Sequence, residues 1–367
     1  MNSANISIVH VVNSLAYAGA ELFVARLACL QSKLGADVNV IVLGEANSSI
    51  INDLLENDVK VIILNNEKLV GIICFNSLIR ALAKLEARII HAHLFPSQYY
   101  VSLIKLFNSK DRHYVTTEHS TSNRRRDYLF FRLLEKFIYS NFDIVYCISG
   151  PVQDALVEWV PNIQQSTIVI ENGIDLNSIV LSKPTDIATI PGLRIPFALC
   201  VGRLAPEKGQ QFAIMAMKHH PDLDLLLIGD GVEKKNLLSL ASELGVENRI
   251  YFLPTRPDVY SFMKACSVYI QPSLWEGFGL AALEAIACGA KVVCSDVPGM
   301  KDLLVPLGAS SFECADPDDL ARKIEAALLV ETLYSLHNFP DRYSMSTTAI
   351  NYIKSYSSLM DNHCELS

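Results

Sequence analysis

Two acids and two bases in the second half of this 367-residue chain stand where they could handle a phosphorylated ligand. Glu276 and Glu284 belong to the stretch Pro272-Ser273-Leu274-Trp275-Glu276-Gly277-Phe278-Gly279-Leu280, which continues through Glu284-Ala285 to Gly289. The pattern predicts a strand ending near Ile270, a glycine-containing loop, and a helix from about Leu280 to Cys288. A loop-to-helix junction of this kind offers free backbone N–H groups and a positive dipole end, which suits a phosphate. Glu276 could reach a sugar ring from the loop. Glu284, one turn into the helix, could accept hydrogen bonds from a ribose diol. The plainer alternative is a glycine turn and a core helix with two solvated acids.

The bases lie in Val201-Gly202-Arg203-Leu204-Ala205-Pro206-Glu207-Lys208-Gly209, directly after a predicted strand. Ligands of open α/β sheets bind outside the carboxyl ends of strands. Arg203 offers a planar fork and Lys208 a point charge, a pair able to flank a diphosphate. The alternative is a solvated loop with an Arg203–Glu207 ion pair.

Near the start, Leu15-Ala16-Tyr17-Ala18-Gly19-Ala20-Glu21 closes the first strand and opens the first helix. Gly19 there is either a tight corner or a place where backbone approaches a ligand. His91-Ala92-His93 and Thr117-Glu118-His119-Ser120 end two further strands, with His91 and His93 on one side of theirs. No third metal ligand suggests itself, so no metal is expected. Hydrogen bonding to a polyhydroxylated ligand is the functional alternative, and an ordinary core histidine equally fits His91. Glu171-Asn172-Gly173-Ile174-Asp175 reads as a turn, and Asp222-Leu223-Asp224 as structural.

These segments need elements to position them. Short β-branched runs alternate with helical patterns, the signature of βαβ units around parallel sheets. The strands predicted in the first half are Ile6–Val12, Val38–Leu43, Val59–Leu64, Ile89–Ala92, His113–Thr117, Ile144–Ile148 and Thr167–Ile170. Helical patterns between them include Ala20–Leu34 and Asn76–Leu85. A second series follows: Phe197–Val201, Leu223–Ile228, Ile250–Phe252, Val268–Ile270, Val292–Cys294 and Ser311–Glu313. Between the two, Pro184, Pro191, Gly192 and Pro196 interrupt any period, which suggests a linker. The expected plan is an N-terminal domain over 1–175, a linker over 176–196, a C-terminal domain over 197–340 and a final segment over 341–367. Two such α/β halves imply a ligand cleft.

Half of the residues are hydrophobic and 19% are charged, enough for two large cores. A net charge of −8 disfavours a nucleic-acid partner. The nine cysteines show no metal-ligand spacing and read as buried thiols in a reducing compartment. Neither a secretory leader nor a membrane-spanning run is expected, which suggests a cytoplasmic protein. Residues 101–140 are locally basic (Lys105, Lys110, Arg112, Arg124, Arg125, Arg126, Arg132, Lys136) around an apolar helical stretch from Tyr128 to Tyr139. That combination suits either an anionic membrane surface or a core helix with a charged outer edge.

Taken together, these residues resemble the retaining GT-B glycosyltransferases of family 4. The resemblance spans nearly the whole chain and is densest from Phe197 to Val297. There Gly202-Arg203 with Lys208-Gly209, Gly229-Asp230-Gly231, Pro272-Ser273, Glu276-Gly277-Phe278-Gly279 and Glu284-Ala285 follow the family's order. It implies two Rossmann-like domains facing across a cleft, with the last helix, about Thr347–Met360, crossing back to the N-terminal domain. Arg203 and Lys208 would bind the donor diphosphate and Glu284 the ribose. Glu276 and the backbone near Phe278, Gly279 and Leu280 would contact the donor sugar. Gly19 would face the donor phosphates, and His119 would sit near the transferred sugar. Two positions depart from the family pattern: Ala18, where a second glycine is common, and Pro254. The segment from Pro254 through Arg256 would lie near the base.

The implied reaction moves a sugar, with retention and without a metal or other cofactor, from a UDP-sugar to a saccharide acceptor. A lipid-linked acceptor in O-antigen, capsule or exopolysaccharide synthesis would place the protein at the cytoplasmic face of the inner membrane. A sugar-nucleotide epimerase of the same architecture and a non-catalytic sugar- or lipid-binding protein are the rival readings.

Overall fold

Aliphatic runs of this chain become strands buried from both sides, because parallel sheets carry helices on each face. The computed structural model describes residues 6–17, 19–107, 111–121, 124–330 and 339–364. The strands are β1 (Ser7–Val12), β2 (Asp37–Val42), β3 (Lys60–Ile63), β4 (Ile89–His93), β5 (His113–Glu118), β6 (Ile144–Cys147) and β7 (Thr167–Val169), then β8 (Phe197–Val201), β9 (Asp224–Ile228), β10 (Ile250–Leu253), β11 (Val268–Gln271), β12 (Val292–Ser295) and β13 (Ser310–Phe312). The first sheet runs β3-β2-β1-β4-β5-β6-β7 and the second β10-β9-β8-β11-β12-β13. Each sheet reverses its strand order once, between β1 and β4 and between β8 and β11. Ligands of open α/β sheets bind beyond the carboxyl ends of the strands at such switch points.

The chain divides into two units. One comprises Met1–Gly173 with Arg342–Ser367, the other Ile174–Asp341. The final helix, Met345–Cys364, belongs to the first unit, as the resemblance implied. Its Met345, Ala349, Tyr352, Ile353 and Tyr356 share one core with Val24, Leu27 and Ala28 of helix Gly19–Lys33. Thr348 anchors it further, donating to the Glu171 carbonyl at 2.9 Å. The second unit has its own core, built from Ala198, Leu225, Leu227, Val268, Ile270 and Val293 of the sheet and from the helices above it.

The stretch from 176 to 196 is more ordered than its prolines suggest. Leu176–Leu181 is a helix, capped by Asp175, whose side chain accepts from the Ser178 N–H. Lys264 Nζ donates to the Ile179 and Ser182 carbonyls, and the Thr185 N–H to the Ser261 carbonyl. The helix is too short to show a period, and contacts within the second unit hold it. Asp224 is structural, as read. It is buried and paired with Arg194 at 2.6 Å. Cys74, Cys147, Cys200 and Cys294 are buried free thiols.

The buried Tyr356 hydroxyl is hydrogen-bonded to His91 Nδ1 at 2.6 Å. Tyr356→Phe leaves that nitrogen unpaired in a dry interior. The expected cost is ~1–3 kcal/mol, read as a lower urea midpoint; an unchanged midpoint would show that the bond contributes nothing.

Candidate functional site

Of the predicted donor residues, the switch point of the second unit brings Lys208 and Glu276 together beside the start of helix Leu280–Ala287. The loop after β8 and the loop after β11 lie against each other because Gly209 has no side chain. A Cβ there would stand 2.0 Å from the Pro272 carbonyl oxygen, and the residue sits at φ +64°. The Leu274 N–H then donates to the Glu207 carbonyl at 2.9 Å, tying the loops together. This approach brings Lys208 to Glu276, 68 residues away, with Nζ 2.5 Å from Oε1.

Glu276 is held in place from below. Its Oε1 also accepts from Ser273 Oγ at 3.0 Å and from Gln271 Nε2 at 3.2 Å. Gln271 in turn accepts from the buried Tyr269 hydroxyl at 2.9 Å. Only 14% of the Glu276 side chain and 23% of the Lys208 side chain reach solvent. A carboxylate and an ammonium fixed in this way are preorganised. Sequence reading passed over Gln271 and Tyr269. A polar residue closing an otherwise apolar strand was the available signal.

Beyond Glu276 the backbone turns at Gly279, which adopts φ +73° as the N-cap of helix Leu280–Ala287. Phe278 is buried beside it and anchors the turn. The first-turn N–H groups of Leu280 and its neighbours have no intrahelical acceptor and carry the positive end of the helix dipole. One turn in, Glu284 accepts the Tyr260 hydroxyl at 2.7 Å, a partner that the sequence did not suggest.

Arg203 stands apart from this cluster. Its side chain is 69% exposed and pairs with Glu207 at 2.5 Å, the alternative considered from the sequence. Its carbonyl accepts from Gln210. Arg256 is likewise engaged, gripping Asp258 through two bonds of 2.5 and 2.7 Å and lying 4.5 Å over Phe262. The adjoining Thr255 N–H donates to Asp230, which places this segment beside the Gly229-Asp230-Gly231 loop.

In the first unit, Gly19 opens helix Gly19–Lys33 and is exposed; a Cβ added there would meet nothing within 4 Å. Packing among the described residues therefore does not demand glycine at this corner. Ala18 lies outside the described residues. Parallel register places His10 beside His91 and His93 beside Thr117. His10, absent from the sequence expectations, thus joins His91 and His93, with candidate ligand nitrogens within 4.8 Å of one another. The rings of His91 and His93 stack, with centroids 4.0 Å apart and planes 33° apart, so their in-plane lone pairs do not converge. Both nitrogens of His10 and of His91 already meet hydrogen-bond partners. The arrangement is a hydrogen-bonded stack of rings. His119 follows β5, edge-on to Phe23.

The basic and apolar stretch differs from its expected layout. Arg125 turns inward to the fully buried Glu135 at 2.7 Å and covers the rings of Phe95 and Tyr99. Arg126 donates to the Thr121 and Ala155 carbonyls. Both arginines are thus drawn inward, Arg125 onto a fully buried carboxylate and Arg126 onto backbone carbonyls. Helix Leu129–Ser140 instead buries Glu135 and Tyr139 and exposes apolar groups, Leu129 at 77% and Leu133 at 75%. No described helix is long and apolar enough to cross a membrane.

Two α/β units, each with a parallel sheet that reverses its strand order once, are the parts of the GT-B architecture. HepE from Anabaena, solved with UDP and glucose, shares the fold with a TM-score of 0.82 at 20% identity, covering 96% of this chain and 100% of that one. Residues 17–178 match the family described as Glycosyltransferase Family 4, and residues 192–342 match Glycosyl transferases group 1. The chain belongs to the family 4 glycosyltransferases of the GT-B fold. It is 30% identical to the N-acetylgalactosamine-N,N'-diacetylbacillosaminyl-diphospho-undecaprenol 4-alpha-N-acetylgalactosaminyltransferase of Campylobacter jejuni, over 54% of either chain. It is 29% identical to the O-antigen biosynthesis glycosyltransferase WclY of Escherichia coli, over 52% of this chain and 55% of that one. The matched stretch spans about half the length of these two relatives.

Burial lowers His10 to about 4, against the opposing effect of its bond to Gln31. Burial, then neighbouring imidazoles, hold His91 and His93 well below the usual range. Above pH ~6.5 these rings are neutral in both folded and unfolded chains. Below it the unfolded chain takes up protons that the folded one refuses, so stability is lost as pH falls. The melting temperature of the first unit is expected to drop by at least ~5 °C between neutral pH and about pH 5. A flat profile would mean that the rings are not sealed from solvent.

Proposed function

We propose that the protein is a retaining, metal-independent hexosyltransferase that moves a sugar from a UDP-sugar to a saccharide acceptor, itself lipid-linked, in surface-polysaccharide assembly. The observation that carries this reading is the meeting of Lys208 with Glu276 beside the start of helix Leu280–Ala287. Breaking the anomeric C–O bond leaves positive charge on the sugar and negative charge on the diphosphate. Preorganised donors aimed at that developing charge are the main source of acceleration in such a step. Lys208, Arg203 and the first-turn amides supply them, the role that a metal ion would otherwise fill.

Both cations are paired with neighbouring acids, Lys208 with Glu276 and Arg203 with Glu207. An arriving diphosphate competes for them. Transfer of Lys208 to phosphate releases Glu276 to the donor sugar, so donor arrival and acid placement are coupled. Glu284, oriented by Tyr260, is assigned to the ribose. Phe278, Gly279 and Leu280 are assigned to the sugar and phosphates, and Arg256 to the base. Gly19 and His119 complete the proposed donor contacts. Retention would follow from a leaving phosphate that takes the acceptor's hydroxyl proton, as the family resemblance implies.

UDP is supported by the ligands of the Anabaena protein, and a diphospho-lipid acceptor by the name of the Campylobacter enzyme. The O-antigen context follows the Escherichia coli relative. The exposed apolar face of helix Leu129–Ser140 supports peripheral attachment at the cytoplasmic side of the inner membrane.

Arg203→Ala and Lys208→Ala are each expected to lower kcat with a UDP-sugar by ~10²–10³ while circular dichroism stays unchanged. Wild-type rates in both variants would remove the diphosphate assignment. For the membrane contact, a Leu129→Ser/Leu133→Ser double variant should fail to float with phosphatidylglycerol vesicles that carry the wild type; flotation of both alike would refute the apolar anchor.

A further inference from the structure

Three side chains stand in line behind His119. His119 Nε2 faces His93 Nδ1 at 3.5 Å, His93 Nε2 faces His10 Nδ1 at 2.9 Å, and His10 Nε2 faces Gln31 Oε1 at 2.7 Å. The order of protons along this line follows from its far end. An amide oxygen can only accept, so His10 carries its proton on Nε2. A neutral His10 then has a bare Nδ1, which must accept from His93 Nε2. His93 Nδ1 is bare in its turn and accepts from His119 Nε2.

We propose that Gln31, His10 and His93 are positioning residues that lock His119 in the Nε2-protonated tautomer, so that its Nδ1 is offered as an acceptor to a hydroxyl of the transferred sugar. This rests on the assignment of His119 to the donor side made above. A free imidazole samples both tautomers, and the other one would present an N–H instead of a lone pair. The two ring nitrogens point in divergent directions, so Nδ1 faces away from His93. Among the described residues it has no hydrogen-bond partner. His119 is the first residue beyond β5, at the carboxyl end of the sheet where ligands of this architecture bind.

The surroundings are built for the task. His10, Gln31 and His93 are fully buried. Burial keeps the rings neutral, which the proton order requires. His91 stacks on His93 and fixes its plane, while its own nitrogens are spent on Tyr356 and Thr117. The 3.5 Å contact is long for a bond, but contacts of this kind commonly tighten only once substrate is bound.

NMR of the full-length chain with ring-labelled histidine, near neutral pH and without substrate, tests the order of protons. Nε2-protonated signals for His10, His93 and His119 are expected; an Nδ1-protonated His119 overturns the proposal. Kinetics supply the second arm. Gln can accept from His119 and donate to His10 as His93 does, whereas Met can do neither. His93→Met should lower kcat/KM for the nucleotide sugar about tenfold, the factor of one ordinary hydrogen bond, and His93→Gln should restore most of it. Equal rates in both variants would mean that residue 93 only fills space. A chain that turns over no nucleotide sugar would defeat the functional reading alone, since the ring-nitrogen signals decide the tautomer independently.

Discussion

Contact between two loops at the β8/β11 reversal is the constraint on which the site depends. Gly209 permits it, since any side chain there would occupy the Pro272 carbonyl. Lys208 and Glu276 are thereby neighbours, and the polar ladder of Tyr269, Gln271 and Ser273 keeps Glu276 from relaxing away. Glu276 Oε1 is thereby fixed by Lys208, Ser273 and Gln271 together. The helix that begins at Leu280 adds its backbone dipole to the same place without an additional side chain.

The first unit uses polarity differently. Its histidines lie in the interior of a parallel sheet, where an unpaired polar nitrogen is costly. The chain meets that cost with the Thr117 hydroxyl of the sheet, the Tyr356 hydroxyl of the last helix and the Gln31 amide of the first, while Tyr352 of the last helix pairs with Thr117. The same two helices share an apolar core. Docking of the C-terminal helix therefore closes a core and completes a hydrogen-bond network in one step. Such a network specifies register more sharply than apolar packing alone, because a small shift would strand several groups at once.

Helix Leu129–Ser140 shows why a basic sequence need not make a basic surface. Glu135 takes Arg125, the Tyr99 hydroxyl and the Trp159 indole N–H around one buried carboxylate. A buried charge is tolerated only when paired and hydrogen-bonded, and this one draws a nearby cation inward. The apolar residues on the helix's other side are left facing water.

Sequence alone determined the strand pattern, since aliphatic runs of fixed length between helical periods admit few arrangements besides two parallel sheets. All thirteen strands fall within a residue or two of their predicted places. The two glycine-containing loops of the second half were likewise legible, because a strand end followed by glycine and then a helical period marks a loop-to-helix junction. What sequence could not decide was partnership. How Lys208 meets Glu276 and how His10 joins His93 depend on residues far apart in the chain. Those pairings arise from strand order, and strand order is settled by the collective packing of both sheets rather than by any local preference.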